Sequence, residues 1–360
     1  MINVTQPTLI INEKIARSNI KLMADKARIN NVSFEPHFKT HQSVEVGEWY
    51  REEGVKSITV SSASMALYFA NADWEEITIA FPINMLEINT LNAVLAKSAL
   101  ILFVQDHDTI GHLDELTKSV ELFIEIDAGY HRSGIGFDAN EEIGAIIKSI
   151  EQSKHSFKGF YCHAGNSYAA VGKDAIKFIY EDLTSKMALL KSVFEEFNPH
   201  IAIGDTPTCS VIDDFSGIDS IHPGNFIYYD YTQVQIGSCK LEQVACYLVC
   251  PVVAKNSERK ELIIYGGGVH LSKESLKLFG KPFYGLVGRL NERNEFEEYP
   301  TSYVKSISQE HGVVATSSDT FSMVKVGDLI AIIPVHSCMV VDCITTIYTQ
   351  NGEKISKMGT

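Results

Sequence analysis

Residues 120–132 read Val-Glu-Leu-Phe-Ile-Glu-Ile-Asp-Ala-Gly-Tyr-His-Arg, an apolar run that closes on a polar turn. The pattern recurs. Eight such runs begin near Val32 (VSFEPHFK), Ser57 (SITVSS), Ile77 (ITIAFPI), Ala99 (ALILFVQD), Val120 (VELFIEIDAG), Phe157 (FKGFYCHAG), His200 (HIAIGDTPT) and Asp219 (DSIHPGNFIYY). Several are apolar throughout rather than alternating, which suits parallel strands covered on both faces. The segments between them carry helical spacing. Ile143, Ile146, Ile147 and Ile150 share one face, with Asp138 and Glu141 placed as a capping box ahead of them. Ile176, Ile179, Leu183, Met187, Leu190 and Phe194 form a second stripe. Eight strands alternating with helices over roughly 230 residues predict an α/β fold, a (β/α)8 barrel of the TIM type. A doubly wound open sheet is the competing arrangement.

The pattern changes near Leu241. From there the chain reads as short β runs separated by turns: QVACYLVCPVVA, ELIIYGGG, SYVKSIS, GVVATS and LIAIIPVHSCMVVDCITTIYT. The expected organisation is a barrel over residues 11–241 and a mainly β C-terminal domain over residues 242–360, with residues 1–10 added to the latter as a strand. Val244, Cys246, Leu248 and Cys250 would share one strand face as packing residues.

The bulk properties exclude several classes of function. The chain has 360 residues with 31 Lys+Arg against 45 Asp+Glu, a net charge of −14. No basic cluster offers a footprint for nucleic acid or an anionic membrane surface. No apolar run approaches the ~18 residues of a membrane span, and the N-terminus does not read as a signal peptide. Seven cysteines at irregular spacing suit reduced thiols and a cytoplasmic location.

In a barrel the working residues sit at the C-terminal ends of the strands. Here those ends carry His37-Phe38-Lys39-Thr40-His41, Asp127 to Arg132, His163 to Tyr168, Gly204 to Thr208, and His222-Pro223-Gly224-Asn225. Lys39 lies between two histidines, where neighbouring cations and partial burial would make its amine nucleophilic; otherwise it is a solvated surface lysine. Thr206, Thr208, Gly224 and Asn225 fall where barrels bind phosphate, or form two ordinary turns. Arg132 offers a cation for an anionic ring oxygen, or pairs with a carboxylate such as Asp127. His163 ends a buried strand, as a ligand contact or a satisfied core histidine. Gly266-Gly267-Gly268 lacks the spacing of a dinucleotide fingerprint and reads as a turn. His336 and Cys338, two apart in a β run, would face one way and converge on a metal, zinc being suited to mixed nitrogen and sulfur ligands.

Together these motifs resemble the fold-type III pyridoxal-phosphate enzymes, the alanine-racemase-like barrels, and within them the D-serine dehydratase and D-threonine aldolase group. The resemblance runs nearly end to end, through QPTLII at Gln6 to Ile11, PHFKTH, DAGYHRSGIGF, FYCHAGNSY, GDTPT, HPGNFIYYD, SQEHG, VGDLI and PVHSC. It implies that Lys39 carries pyridoxal 5'-phosphate, that Arg132 approaches its phenolic oxygen, and that His163 stacks on its ring with Tyr168 near the ring nitrogen. It also implies that Thr206, Thr208, Gly224 and Asn225 hold the phosphate and that His336 and Cys338 bind a divalent metal, zinc. A homodimer with the active site at the subunit interface follows from the same resemblance. His222 and His270 depart from the basic residues usual at their positions.

The implied activity is a lyase acting on a small D-amino acid. Removal of water from a 3-hydroxy D-amino acid, D-serine foremost, would give a keto acid and ammonia. Aldol cleavage to glycine and an aldehyde is the alternative. An amino acid racemase or a non-catalytic cofactor-binding protein is more distant, since neither uses the His336/Cys338 pair.

Overall fold

A computed structural model describes residues 3–278 and 280–359; residues 1, 2, 279 and 360, which fall inside the domain limits drawn above, lie outside the described residues. The chain divides into two compact units. One spans Ile20–Gly224, and the other combines residues up to Asn19 with those from Asn225 onward.

After a first strand, β1 (Thr8–Ile11), which belongs to the second unit, the eight apolar runs become eight parallel strands. They are β2 (Ser33–Phe34), β3 (Ser57–Val60), β4 (Glu76–Pro82), β5 (Ala99–Val104), β6 (Glu121–Asp127), β8 (Ser156–Cys162), β9 (His200–Ile203) and β10 (Ser220–Ile221), with a short β7 (Ile135–Gly136) beside β6. Their order is β2-β10-β9-β8-β6-β5-β4-β3. A doubly wound sheet would reverse direction at a switch point; this order runs one way round. The ring is nearly closed by a parallel bridge between His37 and Thr59, where Thr59 N–H donates to Pro36 O at 3.0 Å.

Part of the barrel interior is a packed layer of Ile101, Phe103, Phe123, Tyr161 and Ala202. Another part is polar. Thr59, Ser220 and His222 are buried there, as is Glu35. The isoleucine stripe of helix Asn140–Glu151 is buried as its spacing predicts. Its expected capping box does not form. Ala139 is the N-cap with no side-chain hydrogen bond, because the helix starts one residue later than the box would place it. On helix Lys173–Val193, Tyr180 is buried along with Ile176, Leu183, Met187 and Leu190, while Ile179 is only half-buried.

The second unit is antiparallel, apart from the parallel pairing of β1 with β19. Its strands are β11 (Cys246–Asn256), β12 (Glu261–Tyr265), the separate pair β13 (Leu276–Leu278) and β14 (Lys281–Phe283), β15 (Gly285–Leu290), β16 (Phe296–Ile307), β17 (His311–Ala315), β18 (Leu329–Pro334), β19 (Ile347–Thr349) and β20 (Lys354–Ile355). The sheet runs β12-β17-β16-β15-β18-β11-β1-β19-β20, and β11 also pairs with β12. That extra pairing joins the first six into a ring, which removes exposed edges. Val244, Cys246, Leu248 and Cys250 are all buried, so these cysteines are packing residues.

One sequence expectation fails here. His336 and Cys338 do not share a strand. β18 ends at Pro334, and Ser337–Cys343 is a helix with His336 as its N-cap. The apolar run VHSCMVV resembles a strand, but a remote carboxylate decides otherwise: Asp230 Oδ2 accepts from Ser337 N at 3.0 Å and caps the helix from outside.

Candidate functional site

The polar residues singled out in the first unit gather at the C-terminal ends of its strands. After β2 the chain makes a tight turn over Phe38–Thr40, and Lys39 sits half-buried within it. His37 holds the turn, its Nδ1 accepting from Lys39 N at 3.3 Å. His41 does the same for the next segment, accepting from Ser43 N at 3.1 Å. Neither histidine is a cation. Burial drives His37 well below its usual range and His41 down to about 3. The expected cationic neighbours of Lys39 on its own segment are therefore neutral, and their rings shape the turn instead.

Four other strand ends supply the remaining groups. Beyond β6, Asp127 ties the loop by accepting from the N–H groups of Gly129, Tyr130 and His131. That delivers Arg132, whose guanidinium is 3.8 Å from Glu125 and lies over the Tyr130 ring at 5.4 Å. Its carboxylate partner is thus Glu125, not Asp127. Beyond β8, His163 Nδ1 donates to Gly204 O, which fixes its tautomer. Burial lowers the His163 pKa strongly, and the charges of Lys39 and Arg132 add to the effect, so both cations act on this imidazole. Tyr168 stands with its ring 6.2 Å from His163, and its hydroxyl accepts from Thr206 N at 3.2 Å.

Beyond β9, Asp205 caps helix Thr206–Val211. It accepts from Thr208 N at 2.8 Å, from the Thr208 hydroxyl at 2.6 Å and from Ser167 at 2.9 Å. Burial still lifts its pKa to about 6. Both donors of Thr208 are thereby committed to Asp205. Beyond β10, Gly224 closes on the lysine turn. A Cβ there would stand 3.0 Å from His37 O and 3.2 Å from Thr40 Oγ1. Among the described residues nothing accepts from the N–H of Gly224 or Asn225. This is the approach and the donor supply that a phosphate needs.

His222 turns away from these groups into the barrel. Its Nδ1 is 2.7 Å from Thr59 Oγ1 and its Nε2 2.8 Å from Ser220 Oγ, so neither nitrogen is free for a ligand. The residues present fit pyridoxal phosphate: an amine, a neutral imidazole, a guanidinium and a glycine cradle at one end of a barrel.

In the second unit, His336 and Cys338 come together across the first turn of their helix. Burial pulls His336 down, but its hydrogen bond to Cys338, the Cys338 charge and the carboxylates of Asp230 and Glu274 lift it to about 9. The pair thus favours a positive charge between a nitrogen and a thiolate, the demand a divalent cation meets. Among the described residues no group of three His, Cys, Asp or Glu side chains converges on a metal position. A metal here would keep open positions for water or substrate, as catalytic sites do.

The Asn225 side chain belongs to this cluster. Its Nδ2 donates to Asp230 Oδ2 at 2.7 Å and to Ser337 Oγ at 2.9 Å, with Cys338 Sγ at 3.6 Å. Burial raises Asp230, against the pull of His336 and the N–H groups of Ser337, Gln233 and Asn225. Asp230 escaped the sequence reading. Its signal was the pattern Asp230-Tyr231-Thr232-Gln233, an N-cap followed three residues later by Gln. His270 accepts from Gly267 N at 3.2 Å and stands 3.7 Å from Glu310.

Comparison with known proteins follows the same division. Residues 11–232 match the family model described as alanine racemase, N-terminal domain, and residues 245–350 match the one described as putative serine dehydratase domain. The chain is 28% identical to the D-serine dehydratase of Dictyostelium discoideum, over 98% of this chain and 94% of that one. It superposes on the solved D-threo-3-hydroxyaspartate dehydratase from Delftia sp. HT23 with a TM-score of 0.90 and 23% identity, covering 99% and 98% of the two chains. A D-threo-3-hydroxyaspartate dehydratase has also been solved as a histidine-to-alanine variant and, two residues further on, as a cysteine-to-alanine variant in the metal-free form. The latter has a TM-score of 0.91 and 22% identity, over 99% and 98% of the chains.

Proposed function

The chain belongs to the alanine racemase N-terminal domain family, and from that premise we propose that it is a pyridoxal-phosphate- and metal-dependent D-amino acid lyase. The reaction is loss of water from a 3-hydroxy D-amino acid, D-serine first among them. The resulting enamine hydrolyses to a keto acid and ammonia. The observation that carries this reading is the His336–Cys338 pair. It lies in a region matched by the serine dehydratase model and repeats the two-residue spacing of the variants made in the solved dehydratase. A racemase working with two bases has no use for it.

Within the barrel, Lys39 would hold the cofactor through its amine and would serve as the base for the α-proton at Nζ. Arg132 would meet the cofactor's phenolic oxygen, and neutral His163 and Tyr168 would meet its ring. Gly224 and Asn225 offer N–H groups to the phosphate and Thr206 its hydroxyl, while Thr208 supports the cradle through Asp205. Bound pyridoxal phosphate supplies an electron sink for the carbanion at Cα. In the second unit His336 and Cys338 hold the metal, zinc in this proposal. A divalent ion held there would supply Lewis acidity for a leaving hydroxide. The proposal includes a homodimer as the working form. The seven cysteines, none of them in a disulfide among the described residues, support a reducing compartment, the cytoplasm. Among the described residues no helix is long and apolar enough to cross a membrane.

The test is a product assay on cofactor-loaded protein with D-serine, D-threonine and D-3-hydroxyaspartate, each with and without a chelator. Chelator-sensitive release of keto acid and ammonia is the expected result. Glycine and an aldehyde would replace dehydration by aldol cleavage, and activity indifferent to thorough chelation would remove the metal from the reaction.

A further inference from the structure

Asn225 is an asparagine whose amide orientation is set by its neighbours. The carboxylate of Asp230, 2.7 Å away, only accepts hydrogen bonds, so the amide must present its NH2 end. Asp230 is itself fixed, because its two oxygens also accept from Gln233 N at 3.0 Å and Ser337 N at 3.0 Å. One hydrogen of the NH2 group goes to Asp230, and the other is shared between Ser337 Oγ at 2.9 Å and Cys338 Sγ at 3.6 Å. The other end of the amide, Oδ1, is buried and accepts from nothing among the described residues. A flipped amide would set Oδ1 against both a carboxylate and a thiolate, which electrostatics forbids.

We propose that Asn225 is a positioning residue for the metal-binding pair: clamped by Asp230, it directs the Cys338 sulfur through an N–H that the sulfur shares with Ser337 Oγ. The inference rests on the metal reading of His336 and Cys338 and extends it to the groups behind them. It also gives the Asn225 side chain a task apart from the phosphate, to which only its backbone N–H is offered. Such outer contacts fix ligand direction and tune a sulfur's donor strength. The arrangement predicts that removing the amide affects metal affinity and thiolate energy before it affects the fold, since Asp230 keeps Ser337 N and Gln233 N as partners.

The experiment uses full-length, cofactor-loaded protein stripped of metal. Zinc affinity is measured by competition with a chromogenic chelator, and the thiolate is read from the cobalt-minus-zinc difference spectrum. In Asn225→Ala the zinc affinity should fall about 10- to 100-fold. The cobalt–thiolate charge-transfer band should move to longer wavelength, because a sulfur without its hydrogen bond gives up electrons more easily. The pyridoxal phosphate absorbance should stay. Asp230→Asn, which keeps one acceptor oxygen and so one of the two helix caps, should show the same shift in smaller degree. It decides the matter if Asn225→Ala does not fold. Affinity and band position unchanged from the unsubstituted protein would overturn the inference while leaving the metal reading intact. Loss of the cofactor with zinc affinity unchanged would also overturn it, returning the side chain to the phosphate. An unsubstituted protein that takes up neither zinc nor cobalt, or a Cys338→Ala variant that keeps the charge-transfer band, would overturn the metal reading itself, and the inference with it.

Discussion

Oε2 of Glu35 stands 3.7 Å from Nε2 of His222 inside the barrel, and burial disfavours charge on both. The hydrogen-bond directions around His222 are determined. The Thr59 hydroxyl donates to Glu35 O at 2.9 Å, so its oxygen accepts from His222 Nδ1–H. Nε2 then has no proton and accepts from Ser220, whose oxygen accepts in turn from His200 Nε2–H at 2.8 Å. Glu35 Oε2 therefore faces a nitrogen that offers it nothing, and it has no other partner among the described residues. It lines a cavity of about 620 Å³ at the N-terminal end of the barrel, remote from the strand ends that carry Lys39.

This relationship predicts the pH dependence of stability. Burial lifts Glu35 from an ordinary 4.5 to about 7, with Lys158 opposing and Glu76 and Glu121 assisting. Between those values the folded chain holds a proton that the unfolded chain has released. The group's contribution to stability is thus full below 4.5 and is lost as pH rises through 7. The loss amounts to at most about 3 kcal/mol. Urea unfolding from pH 5 to 8 should show stability falling more gently in Glu35→Gln than in the unsubstituted protein. Parallel slopes would show that Glu35 does not titrate in this range.

Lys39 carries the second prediction. Its turn is held by His37, so replacing the side chain leaves the backbone hydrogen bonds in place. Lys39→Ala should fold normally, lose the visible absorbance of the bound cofactor and lose turnover. Loss of proton transfer alone removes about 10²–10⁴-fold. Retained absorbance and activity would show that another amine does the work.

Removing the sulfur separates the two units' tasks. Cys338→Ala should keep the cofactor absorbance, since the groups proposed to hold the cofactor lie in the first unit and at Gly224-Asn225. It should lose metal, and dehydration should fall to the level of chelated protein. Metal content equal to that of the unsubstituted protein would remove Cys338 from the ligand set.

All eight barrel strands were legible because each is a short apolar run bounded by polar residues, and the run lengths leave room for covering helices. Residues such as Lys39, Arg132 and His163 were legible as strand-end residues for the same reason. What escaped was set by tertiary contact. The short helix bearing Cys338 has a strand-like composition and is capped by a carboxylate more than a hundred positions away, Asp230. The sequence offered only the backbone N–H of Asn225 for a phosphate and gave no sign of where its side chain goes, because the partners of that side chain, Ser337 and Cys338, lie more than a hundred positions away. His37 and His41 read as cations because a sequence does not reveal burial. β15 was missed because Gly285-Leu286-Val287-Gly288 reads as loop; glycine is required there, as a Cβ at Gly288 would overlap the backbone of Glu297.

Gly224 ties the fold to the proposed cofactor site, and a single methyl group tests the tie. A Cβ at Gly224 would meet His37 O at 3.0 Å and His37 Cβ at 3.1 Å. Neither atom can yield cheaply. His37 N donates to Pro223 O at 2.9 Å, and the His37 ring accepts from Lys39 N, so the residue is held from both sides. Gly224→Ala must therefore shift the lysine turn or the following N–H groups. Overpacking of this kind costs about 1–3 kcal/mol, to be read from urea unfolding. Because the shift falls between the amine and the phosphate cradle, cofactor affinity should drop by more than stability does, while zinc affinity at His336 and Cys338 stays constant. Equal losses of stability and no change in cofactor affinity would show that the glycine serves packing alone.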